Sequence, residues 1–369
     1  MTGTGSAELV LERLERLYEI GGGTGANRPG LSAAEDAAHD LASAWMEEAG
    51  LAVERDACGN LFGRLAGSDP AGELWTGSHL DTVPAGGRFD GALGVVAGLE
   101  AVSRLRAPGS TVAVVAFRDE EGSSYAPGCL GSRARCDLVG RGDLETLGLP
   151  PQAAGGTLPA VFVEAHIEQG PVLERAGVPL GIVTSIAGQA RGTVEFAGVP
   201  RHAGTTPMDA REDALCAAAE FVLHARDAAA GIEGAVATVG SLVVEPGAAN
   251  VVPGSVTLTV DARAPDQTRL DALLDAIGAE LAVTPPVAMD AAVTRVLGEE
   301  IERLGLPVLE LASGAGHDAG ILGASGVRAG MLFVRSAGGV SHAPDEHTSP
   351  EDIALCVDVL AATLGRLAG

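Results

Sequence analysis

The chain has little of what several function classes require. Positive charge is scarce: 24 Lys and Arg stand against 49 Asp and Glu, a formal net charge of −25. A surface of that sign repels phosphate backbones and anionic lipid headgroups, so neither nucleic acid nor a membrane surface is an expected partner. No run of about 18 apolar residues is free of charges and breakers, so no segment is expected to span a bilayer. The five cysteines (Cys58, Cys129, Cys136, Cys216 and Cys356) are odd in number and form no C-x-x-C pair. That argues against a disulfide framework and a cysteine zinc site, and for free thiols in a reducing compartment. The opening Met1-Thr-Gly-Thr-Gly-Ser carries no basic region and no apolar signal core. A cytoplasmic location is the expectation.

What is present is an ordinary globular interior, 46% hydrophobic and 20% charged, over 369 residues. That length exceeds one compact core, so two domains are expected. The first part alternates helices with continuous apolar strands. Helices are expected over Glu8–Tyr18, Ala33–Ala49 and Gly91–Leu105, and strands at 52–56, 60–65, 73–76, Thr111–Phe117, Val161–Val163 and 181–186. Such a pattern indicates a sheet covered by helices on both faces. From about Ala187 the strands alternate polar and apolar residues, and the order becomes β-α-β-β-α-β. There Thr206 is expected to cap a helix with Pro207 at its first position, running to about Ala229. After Pro285-Pro286 the first pattern returns, with a strand at Val308–Leu311 and a final helix capped at Ser349. The expected division is therefore 1–187 with 287–369 as one domain, and 188–286 as an inserted ferredoxin-like α+β domain.

Four clusters of ligand-type residues follow apolar runs. Gly77–Gly94, GSHLDTVPAGGRFDGALG, places His79 at a strand end, Asp81 two positions on, and Asp90 at a helix start. Arg118-Asp-Glu-Glu-Gly follows the strand ending at Phe117, where open α/β sheets assemble their sites. Glu164-Ala-His-Ile-Glu-Gln-Gly-Pro and Ser341-His-Ala-Pro-Asp-Glu-His are the third and fourth. Taken singly, His79 reads as a strand-end histidine and Asp90 as a helix cap. Together, His79, Asp90, Glu120 or Glu121, His166 and His342 suit Zn²⁺, Mn²⁺, Co²⁺ or Ni²⁺. One carboxylate can bridge two ions, and the set could activate a water, one glutamate binding metal while its neighbour takes the proton. Spacing leaves open which ion each residue holds. His39 and His224 read as helix-surface residues and His347 as peripheral. Cys129 has no base beside it in sequence.

These motifs, with GCLGSR, HAGTTPM, NVVPG and SGAGHDA, resemble the dinuclear metalloamidases. That group includes N-carbamoyl-L-amino-acid hydrolases, allantoate amidohydrolases and β-alanine synthase, relatives of aminoacylases and carboxypeptidase G. The resemblance spans nearly the whole chain. EAHIEQGP is its most telling part, because the peptidase relatives usually carry an acidic ligand where His166 stands.

The resemblance implies a zinc-peptidase-like catalytic domain, with a mixed sheet between helices, and an inserted lid and dimerisation domain. It implies two divalent metal ions per subunit: His79 and His166 on one, Glu121 and His342 on the other, and Asp90 between them. Glu120 is then the general base and Asp81 the partner of His79. His202 is implied to stabilise the oxyanion from the partner subunit of a homodimer. Asn250 and Arg263 are implied at the substrate's carboxylate end, with Gln169 near the amide. His317, in GAGHD, reads equally as a substrate-side residue or as a structural hydrogen-bonding one. The implied reaction is hydrolysis of the N-carbamoyl group of a small carboxylate. An allantoate amidohydrolase is the close alternative; an aminoacylase or dipeptidase, or a non-catalytic metal-binding interaction protein, stands further off.

Overall fold

The computed structural model describes residues 3–369. Its nine-stranded mixed sheet runs in the central order Ala52–Arg55, Leu61–Leu65, Ser110–Phe117, Asp69–His79, Val161–Ile167, Arg328–Val334, Leu180–Ile186. Four of these strands are parallel neighbours: 110–117, 69–79, 161–167 and 328–334. Parallel strands are buried on both faces, which is why Val112–Phe117 and Val161–Ile167 read as unbroken buried runs. In register, His79 pairs with Phe117 and His166 with Phe333. The carboxyl ends of the parallel strands thus lie side by side, where such sheets present their ligands.

Helix Ala92–Ser103 is buried from Ala92 through Val102. Burial on every side explains its small, apolar composition, with Gly94 and Gly98 against the sheet. It shares one core with helices Gly3–Tyr18, Ala33–Glu48 and Pro350–Ala368, through residues such as Leu14, Leu17, Met46, Leu99 and Leu360. Ser32 and Ser349 cap two of these helices, accepting from Glu35 N–H and Asp352 N–H. His39, on the second helix, is 0% exposed rather than on the surface.

The chain divides into two compact units. One is Met1–Thr184, Met289–Leu311 and His317–Gly369; the other is Ser185–Ala288 with Ala312–Gly316. The second unit has a four-stranded antiparallel sheet in the order Ala282–Thr284, Gly188–Ala197, Ser255–Ala264, Val236–Glu245. Helices Ala214–Ala230 and Gln267–Ile277 pack on it through Ala218, Ala225, Leu270 and Leu273. Residues 312–316 belong to this unit, where Ser313 O accepts from Ala187 N–H and Gly314 O from Arg263 Nη1.

Two local expectations give way. The helix expected from Thr206 begins at Ala214, where the Asp213 carboxylate accepts from the N–H groups of Leu215 and Cys216. Thr206 Oγ1 is spent instead on His202 O, inside a turn. The strand expected at Val308–Leu311 is Glu310–Ser313.

Candidate metal centre

His79 ends its strand and His166 lies one residue from the end of the neighbouring one, with ring centroids 5.7 Å apart. Each ring is held through Nδ1 by a nearby backbone carbonyl, Asp81 O at 3.1 Å and Ile167 O at 2.9 Å. That leaves both Nε2 atoms facing inward. Gly91 makes room for the first ring: its φ is 62°, and a Cβ there would lie 2.3 Å from the His79 imidazole.

Between the rings stands Asp90. Its Oδ1 is 3.6 Å from His79 Nε2 and 3.3 Å from His166 Nε2. Its Oδ2 turns to the other side, 3.5 Å from His342 Nε2. His342 Nε2 is also 3.4 Å from Glu121 Oε2. The two oxygens of one buried carboxylate therefore face two separate donor sets: His79, Asp90 and His166, then Asp90, Glu121 and His342. Asp90 does not cap the helix beside it with its side chain; Gly91 occupies the cap position. Ser341 Oγ and Gln169 Nε2 instead donate to Asp90 Oδ2, at 2.7 and 2.8 Å.

The consecutive glutamates diverge. Glu120 Oε2 points to the first set, 3.7 Å from His79 Nε2, while Glu121 points to His342. Both are anchored from behind by Asp81, whose Oδ1 and Oδ2 accept the N–H groups of Glu120 and Glu121 at 3.0 and 3.1 Å. Asp81 Oδ1 lies 3.4 Å from His79 Nδ1, so it serves the glutamate turn as well as the histidine. The fold also sets Cys129 against Glu120, Sγ to Oε1 3.3 Å. Sequence separation hid that neighbour.

Charge in this cluster is unbalanced. Burial pushes the Glu120 carboxyl well above its usual range, and burial with the nearby Asp90 charge pushes Glu121 up to about 8. Against its own burial, His79 is raised by Glu120, Asp81 and Asp90. Burial also opposes ionisation of Asp90, but His166 and His79 hold its carboxyl well below the ordinary carboxylate range. Glu121 Oε1 is buried without a hydrogen-bond partner. Carboxylates crowded to this degree call for positive charge, and mixed imidazole and carboxylate donors match zinc, manganese, cobalt or nickel. The residues present fit a pair of divalent ions.

His317 packs edge-on to His166 at 4.6 Å, and burial with the His166 charge depresses its pKa. Gln169 and His342 hold left-handed backbone, φ 57° and 56°. Strained residues of this kind persist where the surroundings fix them, commonly at sites.

The model of peptidase family M20/M25/M40 matches residues 75–366. The chain belongs to that family. Among relatives of this M20-family chain, an N-carbamoyl-L-amino acid amidohydrolase of Geobacillus stearothermophilus is 39% identical, covering 98% of both chains. Allantoate deiminase 1 of Glycine max is 33% identical, covering 93% of this chain and 86% of its own. A hydantoinase/carbamoylase family amidase from Burkholderia multivorans has a solved structure with TM-score 0.88 and 34% identity, covering 98% of both chains.

In the second unit of this M20-family chain, His202 and Asn250 are exposed on adjoining loops, where Asn250 O accepts from Ala203 N–H and His202 bridges Val251. His202 Nδ1 accepts from Gly204 N–H. Arg263 grips Asp261 with Nε and Nη2, at 2.8 and 2.9 Å. Two residues of the centre had no role in the sequence reading, Ser341 and Glu346. Both lie inside SHAPDE, and an acid four positions past the candidate ligand His342, before a capped helix, was the available signal.

Proposed function

We propose that the chain hydrolyses the N-carbamoyl (ureido) group of a small carboxylate, such as an N-carbamoyl-L-amino acid, to the amino acid, carbon dioxide and ammonia. The observation that carries this reading is Asp90, with one oxygen toward His79 and His166 and the other toward His342. The 39% identity over 98% of both chains to an N-carbamoyl-L-amino acid amidohydrolase supports the substrate class.

In this reading His79, Asp90 and His166 would hold one ion, and Asp90, Glu121 and His342 a second. When bound, such ions polarise the scissile carbonyl as Lewis acids and acidify the attacking water. Glu120 accepts the proton of that water and passes it to the leaving nitrogen as the C–N bond breaks. Asp81 fixes the backbone of both glutamates, so the base and the ligand keep their divergent directions.

His202, offered by the partner subunit of a homodimer, stabilises the developing oxyanion. Asn250 and Arg263 receive the substrate carboxylate, with Gln169 and His317 near the amide. The similarity to allantoate deiminase 1, at 33% identity, supports allantoate as the second reading. Metal-loaded protein assayed on N-carbamoyl amino acids, allantoate and N-acyl amino acids tests the choice. Ammonia release from N-carbamoyl amino acids at the highest kcat/KM is the expected result; preference for N-acyl substrates rejects it.

A further inference from the structure

Glu346 lies four residues beyond His342 and is 3% exposed. Its Oε1 accepts two backbone N–H groups from a distant part of the chain, Phe89 at 2.6 Å and Asp90 at 3.0 Å. Gly87 allows this approach, since a Cβ there would come within 2.1 Å of the Glu346 carboxylate. Oε2 is buried without a hydrogen-bond partner. The proposed chemistry uses none of this.

The loop carrying His342 needs an external hold, because His342 sits at φ 56°. Its far end is tied by Ala337 N–H to His347 O at 2.8 Å and by Thr348 Oγ1 to Arg335 O at 3.2 Å. On either side of His342 it meets the Phe89–Asp90 turn, through Ser341 Oγ, at 2.7 Å from Asp90 Oδ2, and through Glu346. Glu346 Oε1 thus holds two consecutive amides of the opposite turn at once.

Resting on the metal reading above, we propose that Glu346 is a positioning residue for the ion of the Asp90, Glu121 and His342 set. It latches the His342 loop onto the Phe89–Asp90 turn and thereby sets the 3.5 Å spacing between His342 Nε2 and Asp90 Oδ2. The other set depends on it less. His79 and His166 are placed by strand ends and held by backbone carbonyls close to them in sequence.

The test is calorimetric titration of metal-free protein with Mn²⁺, comparing wild type, Glu346→Ala, Glu346→Gln and His342→Ala, with circular dichroism as the check on folding. Wild type should bind two ions. Glu346→Ala should bind one at near wild-type affinity and the other about 10–100-fold more weakly, the usual effect of losing a group that orients a ligand. The weakened step should be the one that His342→Ala abolishes. Glu346→Gln keeps an oxygen acceptor without the charge and should fall between wild type and alanine. If the alanine variant does not fold, the glutamine variant decides: weakening confined to that step supports the latch, and unchanged affinity overturns it. Equal loss at both steps in the folded variants also overturns it. Wild type that binds no ion refutes the metal reading itself, before any variant is considered.

Discussion

Asp81 Oδ1 accepts the backbone N–H of Glu120 at 3.0 Å. Its second oxygen takes the next N–H, from Glu121, so one carboxylate orients both of the consecutive glutamates together. Asp81→Asn turns an amide group toward one of those N–H donors. The expected cost is about 10–100-fold in kcat, the range typical of groups that orient ligands. Steady-state kinetics with metal content measured on the same samples checks it; an unchanged kcat contradicts it.

Glu120→Gln and Glu121→Gln should separate. The first should keep both ions and lose about 10²–10⁴-fold in kcat, the contribution typical of a positioned proton-transfer group. The second should lose metal affinity, because Glu121 Oε2 lies beside His342. Elemental analysis showing the reverse pattern would exchange the two roles.

His39 should make the protein less stable in acid. Burial, with the charges of Arg118 and Arg55, holds its imidazole well below the ordinary 6.5. Glu35 is 3.9 Å away, but its carboxylate is committed to Arg118 and to the N–H groups of Asp119 and Leu31. The unfolded chain therefore takes up a proton that the folded chain refuses. The neutral imidazole's contribution is complete above the unfolded pKa and is lost as pH falls below it, at up to about 1.4 kcal/mol per pH unit. His39→Leu should flatten the acid side of the stability curve, read as urea midpoints at pH 7.5, 6 and 5. Parallel curves for the two proteins would contradict this.

The thiols should sort by burial. Cys58 and Cys356 are pushed up to about 12 by burial, and Cys129 is raised by burial and by Glu120. Cys216 is exposed. In the native protein at pH 8, iodoacetamide should label Cys216 first and leave those three until denaturant is added. Rapid labelling of Cys129, read by peptide mass spectrometry, would contradict its packing against Glu120.

The strand-end histidines were legible because burial on both faces leaves an unmistakable apolar run before each cluster. From the residues alone Asp90 was legible only as a position, at the start of a small-residue helix. Its place between two donor sets came from the family resemblance, because spacing along the chain does not show which way a carboxylate turns. His39 was misread: in an alanine-rich helix the periodicity marks the apolar stripe and cannot show that a histidine is buried beside Glu35. Thr206-Pro207 has the form of a helix start, yet a hydrogen bond to His202 O took the capping oxygen. Cys129 against Glu120, and Glu346 against Phe89 and Asp90, are long-range meetings with no local signature.

The most direct test of the shared Asp90 carboxylate is a crystal structure of Mn²⁺-loaded protein with anomalous diffraction recorded at the manganese edge. Two peaks are expected. One should lie about 2.0–2.3 Å from the Nε2 atoms of His79 and His166, the other at similar distance from His342 Nε2 and Glu121, with one Asp90 oxygen bound to each. A single peak, or two peaks that do not share Asp90, would contradict the account.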